Sequence, residues 1–177
     1  MQKKKGNVLI ECMQGDISAQ NDIEAVVNAA NAQLRTGGGV AGAIHRAAGP
    51  GLEEECRTLA PIKPGQAVIS GAHNLPNKFV IHCLGPVYGK DKPEEQLLEE
   101  CYRQVLQIAE DKGISSVAFP AISTGAFGYP MEEATEIALN TILKIAEGLN
   151  KVEKIRFVLF SERDLKVYEK ILDRLAE

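Results

Sequence analysis

Two stretches of this sequence hold the residue types that chemistry needs. From Ala25 the chain reads Ala-Val-Val-Asn28-Ala-Ala-Asn31, then Gln33-Leu34-Arg35-Thr36, three consecutive glycines Gly37 to Gly39, and Val40-Ala41-Gly42-Ala43-Ile44-His45 in the pattern of a helix start. Glycines can adopt positive φ and let backbone approach a ligand, and the first N–H groups of the following helix have no partner within it. Loop and helix together make an anion site without lysine, so a phosphate-bearing ligand is expected here. Ordering three glycines costs about 1 kcal/mol each relative to alanine. A plain flexible loop is therefore disfavoured. The second stretch, Ala121-Ile122-Ser123-Thr124-Gly125-Ala126-Phe127-Gly128-Tyr129-Pro130, is another loop of small residues running straight into a helix.

Other side chains offer specificity. Asn31 presents both a donor and an acceptor, which suits a ribose hydroxyl pair as well as a local turn. Phe127 and Phe160 are two of only five Phe in a chain without Trp, and both sit in strand-end loops where a base or sugar could stack. His45 lies one turn into the first helix. Asp16, in Gln14-Gly15-Asp16-Ile17, closes a turn at the end of the first strand.

Several function classes fall away. Gly37, Gly39 and Gly42 match G-x-G-x-x-G, but nine residues separate Gly37 from Val27, whereas a dinucleotide fingerprint follows its strand directly. No Gly-Lys-Ser/Thr occurs, which excludes a nucleoside-triphosphate P-loop. His73 and His82 lack ligand-spaced partners, so no metal is expected. The net charge of -4, with one basic run at Lys3 to Lys5, argues against a Lys/Arg surface for nucleic acid or anionic membrane. Cys12, Cys56, Cys83 and Cys101 are widely spaced, as in reduced core positions. The apolar run Val8 to Ile10 is too short for a signal peptide or membrane span, and the expected location is the cytoplasm.

The elements that must position these residues alternate. Strands are predicted at Val8 to Met13, Ala25 to Asn28, Ala67 to Ser70, Phe79 to Leu84, Ser116 to Pro120 and Lys154 to Phe160. Helices are predicted at Val40 to Ala47 and Gly51 to Leu59. A long one starts at Asp91 to Glu94 and buries Leu98, Cys101, Val105 and Ile108. Another carries Ala134, Ala138, Ile142, Ile145 and Leu149, and the last, capped at Ser161, carries Leu165, Tyr168, Leu172 and Leu175. This order implies a single domain over residues 1–177, an α/β three-layer α/β/α sandwich with a central mixed, mostly parallel sheet. Ligands of such sheets sit beyond the carboxyl ends of the strands, where Asp16, Asn28, Asn31, Ser123 to Phe127, Phe160 and Ser161 fall.

The segments Val27 to Asn31, Gly37 to His45 and Ser123 to Pro130 resemble the macrodomain family of ADP-ribose binders, in the family's order and over nearly the whole chain. The resemblance implies that Asp16 accepts from the adenine amine, that Ile17 meets the base through its backbone, and that Phe160 stacks on it. Asn31 would hold the distal ribose with Phe127 packing against it. The amides of Gly38, Gly39 and Val40, and those of Ser123, Thr124, Gly125 and Ala126, would clamp the diphosphate. MacroD-type hydrolases carry an Asp where this chain has Ala41. The Gly-Gly-Val-Ala-Gly form is similar to viral and some reader-type macrodomains, several of which cleave mono-ADP-ribose from acidic side chains.

The implied activity is hydrolysis of mono-ADP-ribose esters on protein Asp or Glu, or deacetylation of O-acetyl-ADP-ribose, without a cofactor. Asn31 would orient the distal ribose, with His45 the next catalytic candidate. A non-catalytic reader of ADP-ribosylated partners is the alternative, and nucleic-acid-linked ADP-ribose is a third substrate class. No membrane partner is implied.

Overall fold

The computed structural model describes residues 1–176. Its centre is a seven-stranded sheet: β1 (Gln2–Lys5), β2 (Val8–Gln14), β3 (Ala25–Ala29), β4 (Ala67–Gly71), β5 (Phe79–Cys83), β6 (Ser116–Phe119) and β7 (Lys154–Leu159). The spatial order is β1-β2-β7-β6-β3-β5-β4. The five inner strands run parallel, and both edges are antiparallel. The edge strand β1 was not expected. Its Lys run reads as a charged terminus, but Lys3 and Lys5 pair with Asp173 and Glu147 at the sheet's edge, and charged edge strands resist further pairing.

Five helices cover the sheet: α1 (Gly39–Ala48), α2 (Pro50–Cys56), α3 (Glu94–Asp111), α4 (Met131–Ala146) and α5 (Glu162–Leu175). Alternation along β3 sorts the faces. Ala25 and Val27 join the apolar cluster under α3, α4 and α5, while Val26 joins the one under α1 and α2. The first cluster is anchored by Tyr102, Phe119, Phe157 and Tyr168, whose successive ring centroids lie 5.2 to 5.6 Å apart. These layers make the expected α/β/α sandwich. Helix α4 stops at Ala146, so Leu149 packs from the following turn and not from the helix stripe.

On the other face, the buried Arg156 guanidinium donates to Glu11 at 2.8 Å, to Gln20 at 2.9 Å and to both oxygens of Asp22 at 2.8 Å. These hydrogen bonds hold the Asp22 carboxyl down at about 2. The same contacts tie the segment after Asp16 to β2 and β7. Among the described residues, no helix is long and apolar enough to cross a membrane.

Candidate functional site

The parallel strands end on one rim, and a cleft of about 360 Å³ opens there between the β3–α1 loop and the β6–α4 loop. One wall is Asn31 with Gly37 to Ala41; the other is Ile122, Ser123 and Gly125 to Phe127; Ala29, Ala30, Gly85 and Ala121 complete it. Among the described residues, no lysine, arginine or acid lines it. Larger grooves run along α5 and beside α3, but they are walled by charged side chains.

What the cleft offers instead is backbone N–H. Helix α1 has Gly38 at its N-cap, with no side-chain cap and no acid in the first turn. The starts of α3, α4 and α5 all carry acids: Glu94 and Glu95, Glu132 and Glu133, Glu162 and Asp164. Among the described helices α1 to α5, α1 alone has no acid in its first turn to offset its positive end. The amides of Gly38, Gly39 and Val40 have no acceptor among the described residues, and neither do those of Thr124, Gly125 and Ala126. Gly39 sits at φ +53, which places it in the left-handed region. Gly42 must lack a side chain for another reason: a Cβ there would strike the Gly37 carbonyl, so the glycine run folds back onto its own helix.

The opposite loop is equally fixed. Ser123 takes φ 67, a strained value for a non-glycine residue, and its buried hydroxyl has no partner among the described residues. A Cβ on Gly85 would collide with that hydroxyl and with Ile122. Gly85 read in the sequence only as a strand stop. Its role as cleft floor depends on a contact between strands far apart in the chain.

The structure brings Asn31, Gly38, Gly39, Val40, Ser123, Gly125, Ala126 and Phe127 into this one cleft, while Thr124 turns into the neighbouring groove by α4 and α5. Asp16, Ile17 and Phe160 lie outside it, at the carboxyl ends of the paired strands β2 and β7, where the Gly15 amide donates to Leu159 at 3.0 Å. Ile17 and Val40 share one apolar cluster, which joins the two parts of the rim. Phe160 is 92% exposed. One Asp16 oxygen caps the 3-10 turn Ile17–Ala19, accepting from the Ser18 amide at 2.9 Å and the Ser18 hydroxyl at 2.6 Å. Those bonds lower its pKa and leave its second oxygen free. Asn31 closes a local turn, accepting from the Arg35 amide at 3.0 Å and donating to the Arg35 carbonyl at 2.8 Å. One amide hydrogen and one lone pair remain for a ligand.

Two residues sit elsewhere than the rim. Asn28 is fully buried within β3, because the parallel register sets it against His82 and not at the strand end. His45 is 5% exposed and does not line the cleft; its ring faces the interior, 6.5 Å from that of His82, with both nitrogens unpartnered. Burial lowers its pKa, with Glu53 pulling the other way.

The His82 tautomer follows from its partners. The Ser70 hydroxyl donates to the Gly71 carbonyl at 3.0 Å, so it accepts from His82 Nε2–H at 2.8 Å, with Cys56 Sγ a second and longer contact of the same nitrogen at 3.6 Å. His82 Nδ1 then accepts from the Asn28 amide at 3.1 Å. The ring is neutral, and burial and the nearby His45 push its pKa down to about 3. The unfolded chain takes up a proton below about 6.5 and the folded one does not, so stability falls as pH falls through that window. Unfolding free energy should drop by about 2 kcal/mol between pH 7 and pH 5, measured as a lower urea midpoint at unchanged slope. An unchanged midpoint would contradict the neutral buried ring.

Comparison with known proteins agrees with this architecture. A family model described as the Macro domain matches residues 27–138. A macro domain-containing protein of Chlorobaculum tepidum is 47% identical over 167 residues, covering 94% of this chain and 96% of that protein. A protein of Enterobacter cloacae named O-acetyl-ADP-ribose deacetylase is 46% identical over 173 residues, covering 95% of this chain and 96% of its own length. The solved Oceanobacillus iheyensis macrodomain with ADP superposes with a TM-score of 0.95 at 40% identity, covering 99% of this chain and 95% of that one. A Trypanosoma brucei macrodomain in complex with ADP-ribose gives 0.83 at 38% identity, covering 91% of this chain and 68% of that one. The two glycine loops at the sheet's carboxyl rim lie largely within the matched segment, and the chain belongs to the macro domain family.

Proposed function

We propose that residues 1–177 form a single macrodomain of the cytoplasm that binds ADP-ribose and hydrolyses mono-ADP-ribose esters of protein acidic residues or O-acetyl-ADP-ribose. The observation that carries this reading is a cleft whose two facing walls offer unpaired backbone amides and no charged side chain. A diphosphate suits it, since several fixed N–H dipoles bind an anion without a counter-ion. The relatives named O-acetyl-ADP-ribose deacetylase and the neighbours holding ADP and ADP-ribose support the choice of ligand.

In this reading Gly38, Gly39 and Val40 face Ser123, Thr124, Gly125 and Ala126 across the diphosphate. Adenine lies at Asp16, Ile17 and Phe160, and the distal ribose lies between Asn31 and Phe127. Removing Asp16 with Asp16→Ala should weaken ADP-ribose binding by roughly 1.5 to 3 kcal/mol, the range for a hydrogen bond to a charged group. The loss should be smaller for the hypoxanthine analogue, which has no amine to donate. Equal losses for both in a calorimetric titration would remove the adenine role.

Ala41 removes the acid that a Gly-Gly-Val-Asp-Gly loop would supply, so this loop form calls for catalysis by position. The diphosphate holds a water whose oxygen attacks the ester carbonyl or the anomeric carbon. At the carbonyl the bond to the ribose oxygen breaks, and that oxygen receives the water's proton by way of a phosphate oxygen. At the anomeric carbon the bond to the carboxylate oxygen breaks, the carboxylate leaves, and a phosphate oxygen takes the water's proton. Asn31 sets the ribose orientation, and His45 is the next residue to test if it does not. Timed incubation with a mono-ADP-ribosylated protein separates turnover from reading: a hydrolase releases the label, and a reader retains it.

A further inference from the structure

Met1 aside, the large apolar side chains that stand exposed among the described residues are Phe160 and Tyr88, and they lie at opposite ends of the rim. Phe160 follows β7 beside Asp16. Tyr88 belongs to the loop after β5, and its amide donates to the Phe127 carbonyl at 2.8 Å, at the end of the cleft that Phe127 lines.

Tyr88 is held there firmly. The Val87 amide donates to the Asp91 carboxylate at 2.8 Å, the Gly89 amide donates to the Glu94 carboxylate at 2.9 Å, and the Lys90 and Asp91 amides both return to the Val87 carbonyl. The Tyr88 ring leans on buried Tyr129 with centroids 4.8 Å apart and planes tilted by 58°, yet 41% of the residue is open to solvent. Its hydroxyl has no partner among the described residues. An aromatic ring kept exposed on so well tied a loop is a preorganised contact surface, cheap to use because little order remains to be imposed.

We propose that Tyr88 is the platform for the polypeptide that carries the ADP-ribosyl group, so that it selects protein-borne ADP-ribose over small esters. The inference rests on the reading that places the distal ribose at Asn31 and Phe127. On that reading a polypeptide on the ribose, unlike an acetyl group, extends far enough beyond Phe127 to reach Tyr88, whose amide is bonded to the Phe127 carbonyl. The rim around Tyr129 carries the charges of Glu94, Glu95 and Glu133, which give no positive field for a nucleic-acid chain.

The test compares the parent, Tyr88→Ala and Tyr88→Phe on a mono-ADP-ribosylated protein and on O-acetyl-ADP-ribose, with a titration of free ADP-ribose alongside. Specificity is read as kcat/KM, or as Kd if the parent retains the label. Tyr88→Ala should lose about tenfold on the modified protein alone, the size of one aromatic contact. It should stay within about twofold of the parent on O-acetyl-ADP-ribose and free ADP-ribose, and Tyr88→Phe should match the parent throughout. Equal losses on all ligands would make Tyr88 a prop for the Phe127 loop and overturn the proposal, as would no loss on any. Failure of the parent to bind free ADP-ribose is a separate result, visible without any variant, and removes the underlying ligand reading.

Discussion

The Gly39→Val protein is expected to fold and to lose ADP-ribose binding, at least about a hundredfold in Kd, because several charge-assisted hydrogen bonds go together. Gly39 holds φ +53 at the first position of α1, a conformation that a β-branched residue adopts only with strain. The protein itself would not crowd the new side chain: a Cβ there meets nothing within 4 Å. The fold can therefore survive by a local backbone shift, but that shift turns the Gly39 and Val40 amides away from their common target, and the valine occupies space on the cleft wall. Calorimetry and a melting curve check both halves. A variant that binds like its parent would mean that the diphosphate cradle lies elsewhere.

Asn31→Ala is expected to reduce turnover about a hundredfold while costing far less affinity. The contacts proposed for Asp16, Phe160 and the two glycine loops do not involve Asn31, so most ground-state binding persists. Orientation of the distal ribose decides whether the bound water lies in line with the bond to be cut, and that matters in the transition state more than in the complex. The Asn31 bonds to both backbone groups of Arg35 add a second route to the same loss, since the substitution also frees the start of the glycine loop. Single-turnover rates with saturating enzyme separate rate from affinity. Full activity in the variant would move catalysis to another group, with His45 next to be examined.

Much of this was legible in the sequence because the site is built from local backbone. The glycine run proposed as the anion site follows a strand and opens a helix, and both loops are contiguous in the chain, so their type and order sufficed to place them at the rim. The inner strands were legible for the same reason, as short apolar runs between turn residues. What stayed hidden was set by contacts between distant segments. Asn28 looks like a rim residue until the β3–β5 register pairs it with His82. Gly85 looks like a strand stop until Ser123 is laid over it. His45 shares a helix with Val40 and Ala41, but it falls on the face turned inward, and only the packing of α1 on the sheet decides that. The strand β1 was missed because a lysine run carries no apolar alternation; its pairing comes from β2 and its charges from α5 and the turn after α4.

The most direct measurement is a calorimetric titration of the parent protein with ADP-ribose and, separately, with AMP. A cleft that clamps a diphosphate between two amide loops and holds a distal ribose predicts one ADP-ribose per chain, bound at least about tenfold more tightly than AMP, which has one phosphate and no second ribose. Equal affinity for the two ligands, or no binding of ADP-ribose, would contradict it.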